Sequence, residues 1–584
     1  MSQAATPESI LIADCGAVAT KVALVDRVGS EYRLIGVTRT ITTVEPPGSD
    51  IMLGVVRAIS QLETMTGRAL LNDQGELITP EAETGEGVDA LVAVTSAALP
   101  LHSAVVGLSR DLSVASACRA LASTYATVDT TIAVDEETGR WGTTAQDGST
   151  GGPSASVEGL AASHPDVIVM VGGVDGGAIT PLLELANIIA SIGSAMEEGA
   201  RPLVLFAGNR EARAQVAERI GSTLEFRAVD NVLPMLDHEN PAALQNELEA
   251  IFYERKVKTI PGFAKLSAWS ARPIVHTLQS YARVAQFLAR RYAFLVQALD
   301  FGGATLGWIR ADAAKTTRAL LPDIGMAYGL DRLVDRIGLD RLARWLPTSI
   351  SLDDATAWWL NQSLRPWTTP IRPEERIVLN AAAREAMALG IESQRSSRHQ
   401  EADLVLLSGA PIARGGKPSA LLLMALDALD ICGIFSIAAD ITGIVPALGA
   451  LAAVNAEAAA QVLERDGLVT LGTVIVPNLS PYLAEGNVLQ ASVTTPKGGQ
   501  IQVQVAPGSL ELIPLGTGEK AQVEIRPARG VDLGVPLTKG VFRREIEGGI
   551  VGLVIDARGR PLPFTGTLDQ QRERTQEWLW EVGA

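Results

Sequence analysis

Asp14-Cys15-Gly16-Ala17-Val18-Ala19-Thr20-Lys21 lies between two β-rich runs and has the makings of a phosphate site. An acid closes one strand, a glycine makes the turn, and small residues let backbone N–H groups approach an anion. A hydroxyl and a lysine follow. Such a hairpin offers oriented donors, and its acid can hold Mg²⁺ through water. Read alone, it is equally an ordinary hairpin with a small-residue turn. A second copy shifts that balance. Asp300-Phe301-Gly302-Gly303-Ala304-Thr305 repeats the order of strand, acid, glycine, small residue, threonine and strand. Two such hairpins facing each other would clamp the phosphates of ATP or ADP. The expected nucleotide contacts are Asp14, Gly16, Thr20, Lys21, Asp300, Gly302, Gly303 and Thr305, with Asp14 and Asp300 holding Mg²⁺. A third element, ADLVLLSGAPIARGG at 402–416, is a strand that opens through Gly409 into a helix, a place for adenosine or ribose.

A glycine loop after another strand, Gly172-Gly173-Val174-Asp175-Gly176-Gly177, has two readings. Gly173, Asp175 and Gly176, with Asn209 beside them, could hold a phosphate, a ribose or a partner's loop, as open α/β sheets do at strand ends. Alternatively the glycines only permit a tight strand-to-helix turn, and Asn209 caps the next helix. Arg272, Arg283, Arg290 and Arg291 read as a solvated helix face rather than a basic patch. Trp358, Trp359 and Trp367 suit a partner surface or a packed helix pair. His399 reads as solvent-facing. Cys15 reads as a small filler, because no base accompanies it.

Residues 9–45 alternate as a meander of antiparallel strands, 50–66 have helical spacing, and 89–98 read as a buried strand. A helix is expected near 110–125. The Gly/Ser/Pro-rich stretch 146–158 reads as a linker. From 160 to 235 strands alternate with helices as in parallel βαβ units. Residues 292–312 read as strand, glycine turn and strand. The stretch to 465 is mostly helical, and beyond Asp466 short Val- and Ile-rich runs signal β structure. The expected domains are 1–158 and 236–465 as two related α/β halves around a cleft, 159–235 as a small parallel α/β insertion, and 466–584 as a separate β-rich module. That module has no His or Cys, and its exposed edges suit self-association into a homo-oligomer or docking of another protein.

The chain has 584 residues, enough for several domains, and is 47% hydrophobic, so it is not a disordered chain. Its 49 basic and 66 acidic residues give a net charge of −17, unsuited to coating nucleic acid or an anionic membrane. Three scattered cysteines form no CxxC and fit a reducing, cytoplasmic setting. Five scattered histidines give no zinc spacing. No basic region precedes the first apolar run, so no signal peptide is expected. The apolar tract 420–460 carries Asp427, Asp430 and Asp440, and reads as buried helices rather than a membrane span.

The two hairpins and the late glycine turn resemble the phosphate-1, phosphate-2 and adenosine motifs of the actin, hexokinase and heat-shock-ATPase superfamily. More narrowly, the chain resembles the MutL-like proteins encoded beside glutamate mutase, which are unrelated to the mismatch-repair protein of that name. The matching pieces are the first hairpin, Gly172–Gly177, Ala207-Gly208-Asn209, Asp230-Asn231-Val232-Leu233-Pro234, Asp300–Thr305 and Asp323-Ile324-Gly325-Met326. The resemblance implies an α/β protein with a duplicated actin-like ATPase fold, a small inserted parallel α/β domain and an added C-terminal β-rich domain. It also implies a chaperone or reactivating factor for an adenosylcobalamin-dependent mutase, using ATP or ADP with Mg²⁺. The family pattern D-x-G-G-A-T-T-D is broken here by Leu306 and Gly307, and its adenosine Gly-Gly is Gly409-Ala410. Those changes imply nucleotide binding with weak hydrolysis at most. The alternative is a non-catalytic scaffold or assembly protein on the same fold.

Overall fold

A computed structural model describes residues 6–135, 142–144, 150–151, 159–160, 162–392, 401–414, 416–479 and 486–583. Most of the expected linker 146–158, and His399, lie outside these residues. Two compact units emerge, Met1–Ala97 with Pro261–Ala584, and Ala98–Ile260.

The N-terminal sheet begins with strands β1 (Ile10–Cys15), β2 (Ala19–Val28) and β3 (Glu31–Ile41), an antiparallel meander as the alternation predicts. β4 (Ala90–Thr95) pairs in parallel with β1. β1 and β4 are buried along their whole length, which fits their unbroken apolar runs. The helix Ile51–Thr66 packs its apolar stripe, including Val55, Ile59 and Leu62, on this sheet. Asp50 caps its start by accepting from the Met52 amide, and Gly67 ends it in a left-handed conformation (φ 72°).

The unit Ala98–Ile260 holds β5 (Leu101–Gly107), β6 (Ala126–Ala133), β7 (Gly142–Thr144), β8 (Thr150–Gly151), β9 (Val167–Val171), β10 (Leu203–Phe206) and β11 (Phe226–Ala228). They form one sheet in the order β11-β10-β9-β5-β6-β7-β8. The expected run of βαβ units is present, but the sheet is larger than 159–235. β5 pairs with β6 on one side and β9 on the other, both in parallel, so residues 98–135 join this sheet and not the first.

The chain returns to the first sheet with β12 (Val275–His276), parallel to β4 at its edge. A second sheet then repeats the plan. β13 (Val296–Phe301), β14 (Leu306–Ala311) and β15 (Thr316–Leu321) form an antiparallel meander. β16 (Leu404–Gly409) lies parallel to β13, and β17 (Gly433–Ala439) lies parallel to β16. The orders β3-β2-β1-β4-β12 and β15-β14-β13-β16-β17 are the same topology twice. This is the duplicated actin-like ATPase fold. The registers also match: Asp14 faces Lys21 across β1–β2, and Asp300 faces Gly307 across β13–β14.

The C-terminal region is strand-rich as expected, yet it does not stand apart. β18 (Val469–Val476) joins β17, and β26 (Gly552–Asp556) and β22 (Leu510–Ile513) follow, extending the second sheet to eight strands. Only β20 (Leu489–Thr494), β21 (Gln500–Val505), β23 (Lys520–Pro527) and β25 (Phe542–Glu547) make a separate antiparallel sheet, with β19 (Asn478–Leu479) and β24 (Val531–Asp532) paired beside it. The terminal helix Leu568–Glu581 seals the second half. Arg572 donates to the carbonyls of Leu346 (3.0 Å), Pro347 (2.7 Å) and Ile350 (2.6 Å). Trp578 joins the same core as Trp345 and Trp359.

A buried chain of charges ties these parts together. Arg384 meets Asp427 at 2.7 Å, Asp427 meets Arg558 at 2.8 Å, and Asp556 meets both Arg558 (2.8 Å) and Arg560 (2.7 Å). Burial opposes ionisation of Asp556, but Arg558 and Arg560 hold its carboxyl far below the usual range. Removing one partner strands the others in a dry interior. Arg558→Met should therefore lower unfolding free energy by about 3–5 kcal/mol in denaturant titration. A chain ending at Arg465 loses three strands of the second sheet and should be insoluble. A folded, soluble 1–465 fragment would refute this account of the C-terminal region.

Candidate functional site

The β1–β2 turn is drawn tight by a hydrogen bond from the Gly16 amide to Ala19 O (2.9 Å). A Cβ at Gly302 would lie 2.7 Å from Thr305 O, so the β13–β14 turn also needs its glycine. The two turns touch: a Cβ at Gly303 would fall 2.2 Å from Val18 Cγ2. The Asp323–Met326 segment braces the second turn. Gly302 O accepts from the Met326 amide (3.0 Å), and Gly303 O accepts from those of Ala327 and Tyr328 (both 2.9 Å). Gly409 ends β16 at φ +106°, with Phe301 O only 2.3 Å from where its Cβ would stand. No other residue fits that position.

Between the turns opens a cleft of about 1140 Å³, solvent at its mouth included. Lys21 Nζ lies at its floor, 2.7 Å from Asp14 Oδ2, and also donates to Gly443 O. Thr277 Oγ1 donates to Asp14 Oδ1 (3.3 Å). Asp440, just after β17, accepts from Ser408 Oγ (2.8 Å), Thr442 Oγ1 (2.8 Å) and the amides of Gly443 (2.7 Å) and Val445 (3.1 Å). Asp14, Asp300 and Asp440 thus share one ammonium. Burial opposes the charge of Lys21, yet Asp14, helped by Asp440 and Asp300, keeps its pKa above the ordinary value. Burial pushes Asp300 up to about 7 against the pull of Lys21, with Asp14 and Asp440 adding to the rise. Burial raises Asp440 as well, opposed by Lys21 and its own hydrogen bonds. Such a surplus of carboxylate suits a divalent cation carried in on phosphates. Among the described residues no three His, Cys, Asp or Glu side chains form a direct metal cage.

Asp14, Gly16, Lys21, Asp300, Gly302, Gly303, Thr305 and Gly409 all line this cleft. Thr20 does not. Neighbours on a strand face opposite ways, and with Lys21 in the cleft the Thr20 side chain is buried against Gly54. Cys15 is buried, and burial followed by Asp14 pushes its thiol far up, as suits a filler. His276 is held down at about 4 by burial, against the opposing pull of Asp14. Its Nδ1 caps the helix Thr277–Tyr292 by accepting from the Leu278 amide. Asp440, Thr277 and Ser408 were not anticipated. The signal for Asp440 was a third strand ending in an acid, followed by Thr442-Gly443.

Leu306 and Gly307 have a packing reason. Leu306 is buried beneath Gly390, and a Cβ at Gly307 would lie 2.4 Å from Leu278 Cδ1. A side chain at 307 would require Leu278, on the helix above, to move aside. Of the tryptophans, Trp359 is buried and donates to Val378 O (2.9 Å), Trp358 lines the cleft, and Trp367 is exposed. Arg291 pairs with Glu464, as on a solvated face.

The glycine loop at 172–177 belongs to the other unit, and its bonds turn inward. Asn209 accepts from the Glu211 amide (3.0 Å) and donates to Gly177 O (3.0 Å). Asp175 accepts from the Arg210 amide (3.1 Å) and Asn231 Nδ2 (2.9 Å), and its own amide bonds Pro234 O (3.1 Å). Gly173 O accepts from Asn231 (3.0 Å), and the Gly176 amide bonds Glu211 (2.9 Å). Three separate motifs lock into one knot at the strand ends.

Asp300 supplies a pH test. Its folded pKa of about 7 exceeds the ordinary 3.8, so the folded chain binds the extra proton and loses stability as pH rises between those values. Asp300→Asn removes that slope. Without nucleotide or Mg²⁺, the variant should gain on wild type between pH 5 and pH 8, by at most about 2.7 kcal/mol. Urea unfolding at both pH values measures the gap, and an unchanged gap would refute the burial account.

A profile of the MutL protein family matches residues 10–467. Protein MutL of Clostridium tetanomorphum is 24% identical over 363 residues, 58% of this chain and 69% of that protein. Among solved structures, nucleotide-free acetone carboxylase aligns with 85% of this chain and 81% of its own, at 12% identity and a TM-score of 0.29. Glycerol dehydratase reactivase aligns with 77% and 100%, at 11% identity and a TM-score of 0.30. Component A of Acidaminococcus fermentans (R)-2-hydroxyglutaryl-CoA dehydratase aligns with 78% and 99%, at 10% and 0.25. Scores this low add nothing to the topology already described. The profile runs from β1 almost to β18, through both copies of the repeated sheet, and the chain belongs to the MutL protein family.

Proposed function

We propose that this chain is a nucleotide-dependent factor that acts on another protein, a reactivating chaperone for an adenosylcobalamin-dependent mutase. The observation that carries the nucleotide half is the cleft: two glycine turns meet at Val18 and Gly303, above Lys21, the buried Asp14 and Asp440 and the half-buried Asp300. The turns would cradle the phosphates of ATP or ADP, and Asp14 and Asp300 would hold Mg²⁺ through water. The partner half rests on the family, whose resemblance implies assistance to carbon-skeleton mutases. Gly307, closed over by Leu278, leaves no acid where the family pattern has one, so hydrolysis is slow.

Calorimetry with Mg·ADP and Mg·ATP tests the reading. Wild type should bind both, and Gly302→Val, which drives a side chain into Thr305 O, should lose at least about 100-fold in affinity. Phosphate release should be on the order of 10⁻² s⁻¹ or slower. Wild type that binds neither nucleotide would end the proposal. Recovery of a cofactor-inactivated mutase, dependent on this protein and ATP, is the matching test of the partner.

A further inference from the structure

One cationic side chain in the cleft belongs to neither hairpin turn and to no motif. Arg39 sits on β3, directly across from Lys21 on β2, and Lys21 sits across from Asp14 on β1. Asp14, Lys21 and Arg39 thus form one cross-strand row on the cleft face of the sheet. Lys21 is satisfied by Asp14 and Gly443 O. Arg39 is not: among the described residues no carboxylate pairs with it. β3 is the edge strand, so no further strand supplies one. The nearest charge in the row is therefore a like charge, an arrangement that costs stability when two such residues lie directly opposite. The head of Arg39 remains open to the cleft. Burial of its surroundings lowers its pKa, and the charge of Asp14 opposes that without reversing it.

We infer that Arg39, beside Lys21, forms an anion subsite that takes an oxygen of the nucleotide's phosphate chain. This rests on the nucleotide reading above and adds a residue to it. An incoming phosphate turns the Lys21–Arg39 repulsion into a shared attraction, so the row is poised for an anion rather than for the empty protein. The guanidinium fork suits a phosphate better than an ammonium would.

The test compares wild type, Arg39→Gln and Arg39→Lys by calorimetry with Mg·ADP and Mg·ATP, and by thermal unfolding without ligand. Arg39→Gln should weaken binding at least about 10-fold, and Arg39→Lys should lose less. Without ligand, the midpoint of Arg39→Gln should equal or exceed that of wild type, because a like-charge contact is gone. A merely structural arginine would behave oppositely. Binding by Arg39→Gln within about twofold of wild type overturns the subsite while the nucleotide reading stands. Lost binding together with a midpoint several degrees lower also overturns it, in favour of a structural role. Wild type that binds no nucleotide overturns the reading and the subsite together.

Discussion

Everything in the cleft is arranged around one half-buried ammonium group. Lys21 Nζ touches Asp14 and Gly443 O, so it joins a strand of the first sheet to the loop after the last parallel strand of the second. A buried charge must be paired and hydrogen-bonded. That requirement fixes the register of β1 against β2, and the depth to which the Asp440 loop descends. Asp440 in turn gathers Ser408, Thr442 and two amides. Three carboxylates, those of Asp14, Asp300 and Asp440, thus stand around the single ammonium of Lys21.

Much of this was legible in the sequence because it is local. A strand, an acid and a glycine turn appear in adjacent residues, and their recurrence at Asp14 and Asp300 revealed the duplication. Thr20 was misplaced for lack of one step: side chains alternate, so a cleft-facing Lys21 sends Thr20 to the other face. Asp440 was read as an interruption of a helical tract. The run Gly433–Ala439 is short and apolar, and strand and buried helix cannot be told apart there by periodicity.

What was hidden depends on partners distant in sequence. The β runs after Asp466 were visible, but not that β18, β26 and β22 would extend an existing sheet, since strand preference reflects neighbours more than the strand itself. The boundary at Ala98 was hidden for the same reason, because β5 could have paired with either sheet. The Gly172–Gly177 loop read equally as a ligand or partner loop and as a tight strand-to-helix turn, and its groups are engaged by Asn209, Asn231 and Glu211.

The terminal strands have a consequence for the order of events during synthesis. β26 sits between β18 and β22, and the helix Leu568–Glu581 covers the core beneath them. The second sheet therefore cannot reach its final width until nearly the whole polypeptide has left the ribosome. Until then β18 presents an unpaired edge, and Asp427 lacks Arg558. The nascent chain must keep an apolar sheet and a buried acid unfinished for the length of the C-terminal region, a state prone to association with other chains. Ribosome-stalled intermediates shorter than about residue 556 should therefore be the form of this protein that most needs general chaperones.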